Sequence, residues 1–172
     1  MDEKYYEEQL IYYATLYKLL GVIEITLRRR IPNTLRRLAL KQGVAEWYEV
    51  IPPAVSREKV IDAIRNEIAT QEYEVEFRVP FSFWRYLFSK ELYAALWIPA
   101  LFNVFPNFKN SRNHECYKVI GDALHRAYLI RNRVAHYDFK KRESFEIEAG
   151  LLIWLIAMLD VQRFLIKTKA LI

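Results

Sequence analysis

The sequence predicts an all-α fold in one domain, and three observations lead to that prediction. Apolar residues recur every three or four positions over most of the chain, which is the period of a helix with one buried face. Only four of the 172 residues are glycine, too few for a turn-rich β sandwich. The one stretch that alternates with period two, residues 72–79, has no second strand to pair with. We therefore expect a single bundle of about five or six helices over residues 1–172, with residues 72–79 either extended or at a frayed helix end.

The composition excludes several classes of protein. Aromatic residues make up 15% of the chain, which excludes a disordered protein. Cys116 is the only cysteine, which excludes a disulfide scaffold. Neither GxGxxG nor GxxxxGK[ST] occurs, and this excludes the usual dinucleotide-binding and phosphate-binding loops.

The first half of the chain is expected to begin with one long helix of about 30 residues. We expect Pro32 to break or kink it, and Asn33 or Thr34 to cap a short second helix that ends at Gly43. Residues 44–55 predict a loop, and Ser56 the start of a further helix. The expected apolar stripe of the first helix consists of Leu10, Tyr13, Ala14, Tyr17, Leu20, Gly21, Ile25 and Leu27.

The second half begins with an aromatic block, residues 81–105, that we expect to form core. A helix is expected from Ser89, perturbed at Pro99, and a loop from Pro106 to Asn110. Ser111 is expected to cap a helix of about 22 residues that runs to Arg133 or beyond, followed by a polar link and a last helix from about Glu143 to Lys169.

The expected location is the cytoplasm, without a membrane partner. The first residues are acidic and show no basic segment followed by an apolar one, so no secretory signal is visible. The longest apolar run, Ala149 to Leu159, is shorter than the ~20 residues of a membrane span and predicts a buried helix.

The chain carries a net charge of +5, and its basic residues are concentrated in two stretches. Clustered cations suit a polyanionic partner such as RNA, because each neutralised phosphate releases counterions. A solvated helix face is the alternative, and charge alone does not separate the two. The clusters are Arg28, Arg29, Arg30, Arg36, Arg37 and Lys41, and Arg126, Arg131, Arg133, Lys140, Lys141 and Arg142.

A metal site is not expected. His114, His125 and His136 recur every eleven residues on nearly the same helix face, but the helical rise separates successive histidines by about 16 Å. Cys116 and His114 lie on different faces of their helix, and no GxSxG motif occurs, which argues against a cysteine or serine nucleophile. We expect no metal and no other cofactor.

The remaining candidate is the segment from Arg131 to His136, at the end of the penultimate helix. It resembles the Arg-x(4–6)-His motif of HEPN domains. From about Tyr6 to Asp160 the chain also resembles the Abi-like (abortive infection) branch of that superfamily. The landmarks, in order, are Ile23-Glu24-Ile25-Thr26-Leu27-Arg28, Pro80-Phe81-Ser82-Phe83-Trp84 with Leu92-Tyr93 and Leu96-Trp97, Phe105-Pro106, and Arg131-Asn132-Arg133-Val134-Ala135-His136.

The resemblance implies a helical bundle that forms homodimers and acts as a metal-independent endoribonuclease. Arg131 and His136 of both protomers would converge in one composite site, with Asn132 as the polar neighbour that orients them. It also implies a toxin or antiviral effector in a prokaryotic cytoplasm, with an antitoxin, protein or RNA, as a further partner.

The residue types suit this chemistry. RNA carries its own nucleophile, the 2′-hydroxyl, so cleavage needs groups that move protons and stabilise charge. A histidine can exchange a proton near neutral pH, and an arginine can donate two hydrogen bonds to phosphate oxygens. Five positions on an ideal helix place Arg131 and His136 about 140° apart, so the helix must loosen or the arginine must reach round for them to meet.

Further residues are assigned with less direct support. Glu24 and Arg28, at i and i+4, are either an ordinary ion pair or a support for Arg131. The expected RNA contacts are Arg29, Arg30, Arg126, Arg133, Lys140, Lys141 and Arg142. Two alternatives stay open: a non-catalytic RNA-binding HEPN module, and a helical protein that serves dimerisation only.

Overall fold

A computed structural model describes residues 3–53, 58, 76, 79–108, 113–138 and 144–160, and within these ranges the fold is all-α. No strand occurs in the described part of the chain, which confirms the predicted fold class. The described α-helices are α1 (Glu3–Gln42), α2 (Phe81–Tyr86), α3 (His114–Ala135) and α4 (Phe145–Met158). Shorter segments lie between α2 and α3: 3₁₀ turns at Lys90–Leu92 and Leu101–Val104, and a π-helical turn at Tyr93–Trp97.

Helix α1 continues through Pro32, so the predicted break and the short second helix were wrong. A proline inside a helix removes one hydrogen-bond donor and costs about 3 kcal/mol. Pro32 is buried, and its neighbours Ile31 and Leu35 are fully buried. Burying each such side chain contributes about 1.5–3 kcal/mol, which offsets the loss.

The buried face of α1 differs from the predicted stripe. Four of the predicted residues, Leu10, Ala14, Tyr17 and Ile25, are exposed. Both faces of α1 carry apolar residues at helical spacing, so the period alone could not select the one that packs on the core. The buried residues of α1 are Gln9, Tyr13, Leu16, Leu19, Leu20, Val22, Ile23, Leu27, Ile31, Pro32, Leu35, Leu38 and Ala39.

Gly43 ends a helix as predicted, although that helix is α1 and not a separate second helix. It has a φ of 71°. Its N–H donates to the carbonyl of Leu40, and the N–H of Val44 donates to the carbonyl of Ala39. This pair of reversed hydrogen bonds is a Schellman motif, in which glycine takes the left-handed position without a steric cost.

The aromatic block is core, as predicted. Phe81, Phe83, Trp84, Phe88, Trp97 and Phe105 are buried. Trp84 stacks on Trp47 with ring centroids 5.9 Å apart, and Phe88 meets Phe105 edge to face at 5.6 Å. Ser89 precedes only a 3₁₀ turn and a π-helical turn, not the predicted α-helix.

Helices α3 and α4 begin at side-chain caps. Asn113, not the predicted Ser111, caps α3 by accepting a hydrogen bond from the N–H of Cys116 at 2.8 Å. Ser144 caps α4 through the N–H of Ile147. The α-helix ends at Met158, well before the expected Lys169, and Asp160 follows with a φ of 51°.

Helices α1, α3 and α4 pack together. Tyr12 of α1 stacks on Phe145 at the start of α4, with ring centroids 4.7 Å apart. Arg30, further along α1, contacts the carbonyl of Val104 at 3.4 Å. Asn107 donates to the carbonyl of Ala157, near the end of α4, at 2.9 Å. These contacts show that α1 and α4 run in the same direction.

Helix α1 is long and apolar enough to cross a membrane, by length and composition. Its most apolar stretch has a mean hydropathy of 1.4, and 39% of that stretch is buried. A core helix of a soluble protein passes the same test, so the predicted location stays a prediction.

Several predictions fall on residues outside the described part. They are the helix expected from Ser56, most of the segment 72–79, the predicted cap Ser111, and the basic residues Lys140, Lys141 and Arg142.

Candidate active site

The Arg131 to His136 segment lies at the end of α3. Arg131 and Asn132 are in the last helical turns and are half-buried, whereas His136 is the C-cap and is exposed. The backbone N–H of His136 donates to the carbonyl of Asn132 at 3.1 Å. The prediction that α3 runs beyond Arg133 is confirmed, since the helix ends at Ala135.

Arg131 and His136 do not meet within one chain. The helix is regular up to Ala135, so the two side chains leave it about 140° apart. Within the described ranges, no side-chain hydrogen bond or ion pair joins Arg131, Asn132 and His136 to one another. A site that uses both side chains therefore needs a second copy of the chain or a rearrangement of the helix end.

A strained residue follows His136. Tyr137 has a φ of 52°, a conformation that costs about 1–2 kcal/mol for a residue other than glycine. Its N–H donates to the carbonyl of Val134 at 3.3 Å, and that of Asp138 to the carbonyl of Arg133 at 3.1 Å. Helix α3 thus ends in the same Schellman motif as α1, with tyrosine in the glycine position.

Arg133 lies in a network that the sequence did not predict. Its Nη2 pairs with the carboxylate of Glu148 on α4, and its Nε donates to the Tyr13 hydroxyl on α1 at 3.1 Å. The Arg133 side chain is 12% exposed and that of Glu148 3%. We expected Arg133 on the RNA-binding surface, but its guanidinium is held between α1 and α4.

The network also shifts the pKa of Arg133. Burial by itself would lower this pKa, but the hydrogen bond and the charge of Glu148, with a smaller contribution from Tyr13, outweigh burial and raise it above its usual value. The Arg133 side chain therefore stays charged and joins the three helices.

Tyr13 fixes the backbone next to His136. Its hydroxyl donates to the carbonyl of Asp138 and accepts from Arg133. The Arg133 guanidinium also lies 5.9 Å from the centre of the Tyr13 ring. The sequence signal that could have revealed this network is Glu148, an acid directly before the longest apolar run of the chain.

A cleft of about 450 Å³ opens beside this end of α3. We call it the α1–α3 cleft. None of Arg131, Asn132 and His136 lines it, but their neighbours do, so the cleft adjoins the candidate residues. Its lining residues are Leu10, Tyr13, Ala14, Tyr17, Val134, Ala135 and Tyr137.

Glu24 and Arg28 form the ion pair that their spacing allows, with Nη2 and Oε1 2.5 Å apart. Both side chains are mostly buried, 19% and 17% exposed. No described contact joins the pair to Arg131, and Glu24 lies about 16 Å along α1 from Tyr13. The structure therefore shows the ordinary ion pair, and the supporting role stays a prediction.

The other expected RNA contacts that the structure describes lie on two helices. Arg29 is exposed and Arg30 half-buried on α1, where both line a groove of about 420 Å³ with Lys18. Arg126 is exposed on α3. In the described ranges, no three His, Cys, Asp or Glu side chains form a group that could hold a metal ion.

No family model matches this chain, and neither the curated proteins nor the solved structures contain a match.

Proposed function

We propose that the protein is a metal-independent endoribonuclease of the HEPN type that acts as a homodimer. The observation that carries the proposal is the position of Arg131, Asn132 and His136 at the end of α3, with the His136 side chain open to solvent next to the α1–α3 cleft. An exposed histidine and a half-buried arginine, one from each protomer, would supply the proton transfer and the charge stabilisation that RNA cleavage needs.

Each residue has a distinct role in this proposal. His136 takes the proton from the 2′-hydroxyl, which then attacks the phosphorus, and the bond to the 5′-oxygen of the next nucleotide breaks. The products are a 2′,3′-cyclic phosphate and a 5′-hydroxyl, which receives a proton from the second histidine. Arg131 donates to the phosphate oxygens as negative charge builds on them, and Asn132 orients these groups.

A dimer would bring together the arginine and histidine side chains that one chain keeps apart. Arg131 and His136 leave α3 in different directions, so the histidine of one copy can meet the arginine of the other across a two-fold axis. Leu129 supports this arrangement, because it is 52% exposed and lies seven residues before His136, about 20° away around the helix. An exposed leucine on that face is suited to packing against a second copy.

Basic residues would guide RNA to the site. We assign this role to Arg29, Arg30 and Arg126 and to the segment Lys140, Lys141 and Arg142. Arg133 is left out, because the Glu148 carboxylate already neutralises it. Because the sequence resembles the Abi-like branch of HEPN domains, we further propose that the protein is a toxin or antiviral abortive-infection effector in the cytoplasm. A protein or RNA antitoxin would inhibit it.

The test is RNA cleavage in EDTA by the wild type and by two variants, His136→Ala and Lys4→Ala. Lys4 is an exposed residue of α1 outside both basic clusters and controls for the loss of a surface side chain. General acid–base catalysis contributes about 10²–10⁴ in rate, so His136→Ala should lose that factor while Lys4→Ala cleaves normally. Equal cleavage by wild type and His136→Ala would contradict the assignment.

The alternatives predict different results in the same assay. A non-catalytic RNA-binding module binds RNA with a steep salt dependence but leaves it intact. A dimerisation protein does neither. Cyclic-phosphate ends on the products, found only with an intact His136, would support the ribonuclease.

A further inference from the structure

A second cluster of polar side chains lies along the first half of α3. A pocket of about 330 Å³ opens there, between α3 and the segment that follows α2. Its lining, within the described part of the chain, includes three cations, Arg85, Lys90 and Lys118, and two histidines, His114 and His125. We call it the cationic pocket.

The cations of this pocket form no ion pairs with the described acids nearby. Among the described residues, none of Arg85, Lys90 and Lys118 has an ion-pair partner. Asp122 also lines the pocket, and Glu91 lies close by and accepts a hydrogen bond from the Tyr86 hydroxyl at 3.2 Å. Counted over the described residues, three positive charges against these two acids leave an excess of positive charge.

Arg85 is fixed at the side of the pocket. Its Nη1 lies 3.1 Å from Nδ1 of His125, and its guanidinium carbon 5.4 Å from the centre of the Tyr128 ring. The Nε of Arg85 is buried and has no hydrogen-bond partner among the residues that the structure describes. A guanidinium can only donate, so His125 accepts at Nδ1 and carries its proton on Nε2, as a further donor.

We propose that the cationic pocket binds the phosphate group of a small phosphorylated molecule. Phosphate oxygens accept hydrogen bonds without donating, which matches a pocket lined by a guanidinium, two ammonium groups and an imidazole N–H. The volume lies at the lower end of the range for small-molecule sites, about 300–1,000 Å³.

The pocket is separate from the proposed active site. His125 and His136 are eleven residues apart, about 16 Å along α3. Phosphate binding here does not depend on ribonuclease activity, so either proposal can fail without the other.

The test is calorimetric titration of the purified protein with inorganic phosphate, AMP and adenosine. We expect AMP to bind at least about tenfold more tightly than adenosine, because charge-assisted hydrogen bonds to the phosphate provide that factor. Amide chemical-shift changes caused by AMP should fall on α2 and residues 114–125. Comparison of inorganic phosphate with AMP identifies the source: equal affinity means that free phosphate suffices, and tighter AMP binding means that the ester is preferred.

Two charge reversals locate the site. Lys118→Glu places an acid in the pocket, and Lys41→Glu makes the same change on an exposed lysine at the end of α1. Lys118→Glu should weaken AMP binding at least about tenfold, whereas Lys41→Glu should leave it unchanged. Both lysines are exposed, so neither variant should unfold the protein.

Three results would overturn the proposal. They are no binding of phosphate or AMP by the wild type, equal affinity for AMP and adenosine, and an equal loss in the two lysine variants. The last result would mean that overall charge, not this pocket, attracts the anion.

Discussion

Cations lie beside both halves of α3, but they differ in whether an acid pairs with them. Beside the first half, Arg85, Lys90 and Lys118 have no acidic partner among the described residues. At the end, Arg133 is paired with the nearly buried Glu148 and with Tyr13. Clusters of basic residues in a sequence therefore do not identify a binding surface, because acids from distant elements decide which cations stay available.

The largest expected effect on stability concerns the buried pair at the end of α3. Arg133→Ala leaves the Glu148 carboxylate buried without a partner, so the free energy of unfolding should fall by about 3–5 kcal/mol. Lys118→Ala, on the exposed surface of the same helix, should change it by less than about 0.5 kcal/mol. Urea denaturation measures both.

A double variant tests the explanation of that loss. Arg133→Met with Glu148→Leu removes both charges and should regain most of the lost stability. If Arg133→Ala and Lys118→Ala had equal effects, the two ends of α3 would not differ in the way proposed.

A change to the outward face of α3 should disrupt the proposed dimer. Leu129→Glu places a charge in the expected interface and should weaken dimerisation at least about tenfold, with a matching loss of RNA cleavage at low protein concentration. Leu40→Glu, at an exposed leucine near the end of α1, is the matched control. Light scattering coupled to gel filtration measures the mass of each protein. A Leu129→Glu protein that stays dimeric would exclude this face of α3 as the dimer interface.

A substitution at Tyr137 should have a smaller effect on the free energy of unfolding, and one of opposite sign. Tyr137→Gly removes the cost of a left-handed tyrosine and should raise the free energy of unfolding by about 1 kcal/mol. The corresponding change at the end of α1, Gly43→Ala, should lower it by about the same amount. Thermal unfolding of the two variants compares them directly, and a destabilised Tyr137→Gly would show that the ring contributes more than its strained backbone costs.

The smallest expected effect is a pH dependence of the free energy of unfolding, and it comes from Tyr117 in the first half of α3. Burial, and then the charges of Asp122 and Glu91, raise the pKa of Tyr117 above its ordinary 10.0. Above about pH 10, Tyr117 loses its proton in the unfolded chain but keeps it in the folded state until the folded pKa is reached. The contribution of the protonated Tyr117 to stability is therefore complete below about pH 10 and decreases as the pH rises through the folded pKa.

Absorbance at the wavelength of tyrosinate follows this titration. Of the 12 tyrosines, Tyr117 should titrate late, and Tyr117→Phe should remove that late step and reduce the loss of stability in alkaline solution. Unchanged late titration in Tyr117→Phe would assign the step to another tyrosine.

Sequence reasoning was most successful where one local signal dominated. Gly43 ends α1 because only glycine takes a left-handed conformation without cost, and the dense aromatic block at residues 81–105 had to be buried. It was wrong where two signals competed. At Pro32 the local cost of proline was outweighed by the burial of Ile31 and Leu35, which no local rule reveals.

The candidate site was predicted as a segment but not as a geometry. The sequence places Arg131, Asn132 and His136 at a helix end, and the structure has them there. Their directions around α3 keep them apart in one chain, so the composite site stays a prediction that depends on a second copy.

The amino-acid sequence alone determined the helical class, the aromatic core and the end of α3, because helical period, side-chain volume and backbone freedom are properties of residues close together in the chain. The tertiary structure decided which face of α1 is buried, which partner holds Arg133 and which cations line an open pocket. Those outcomes depend on contacts between residues far apart in sequence, such as Tyr13 with Asp138 and Arg85 with His125. Only the packed chain brings them within hydrogen-bonding distance.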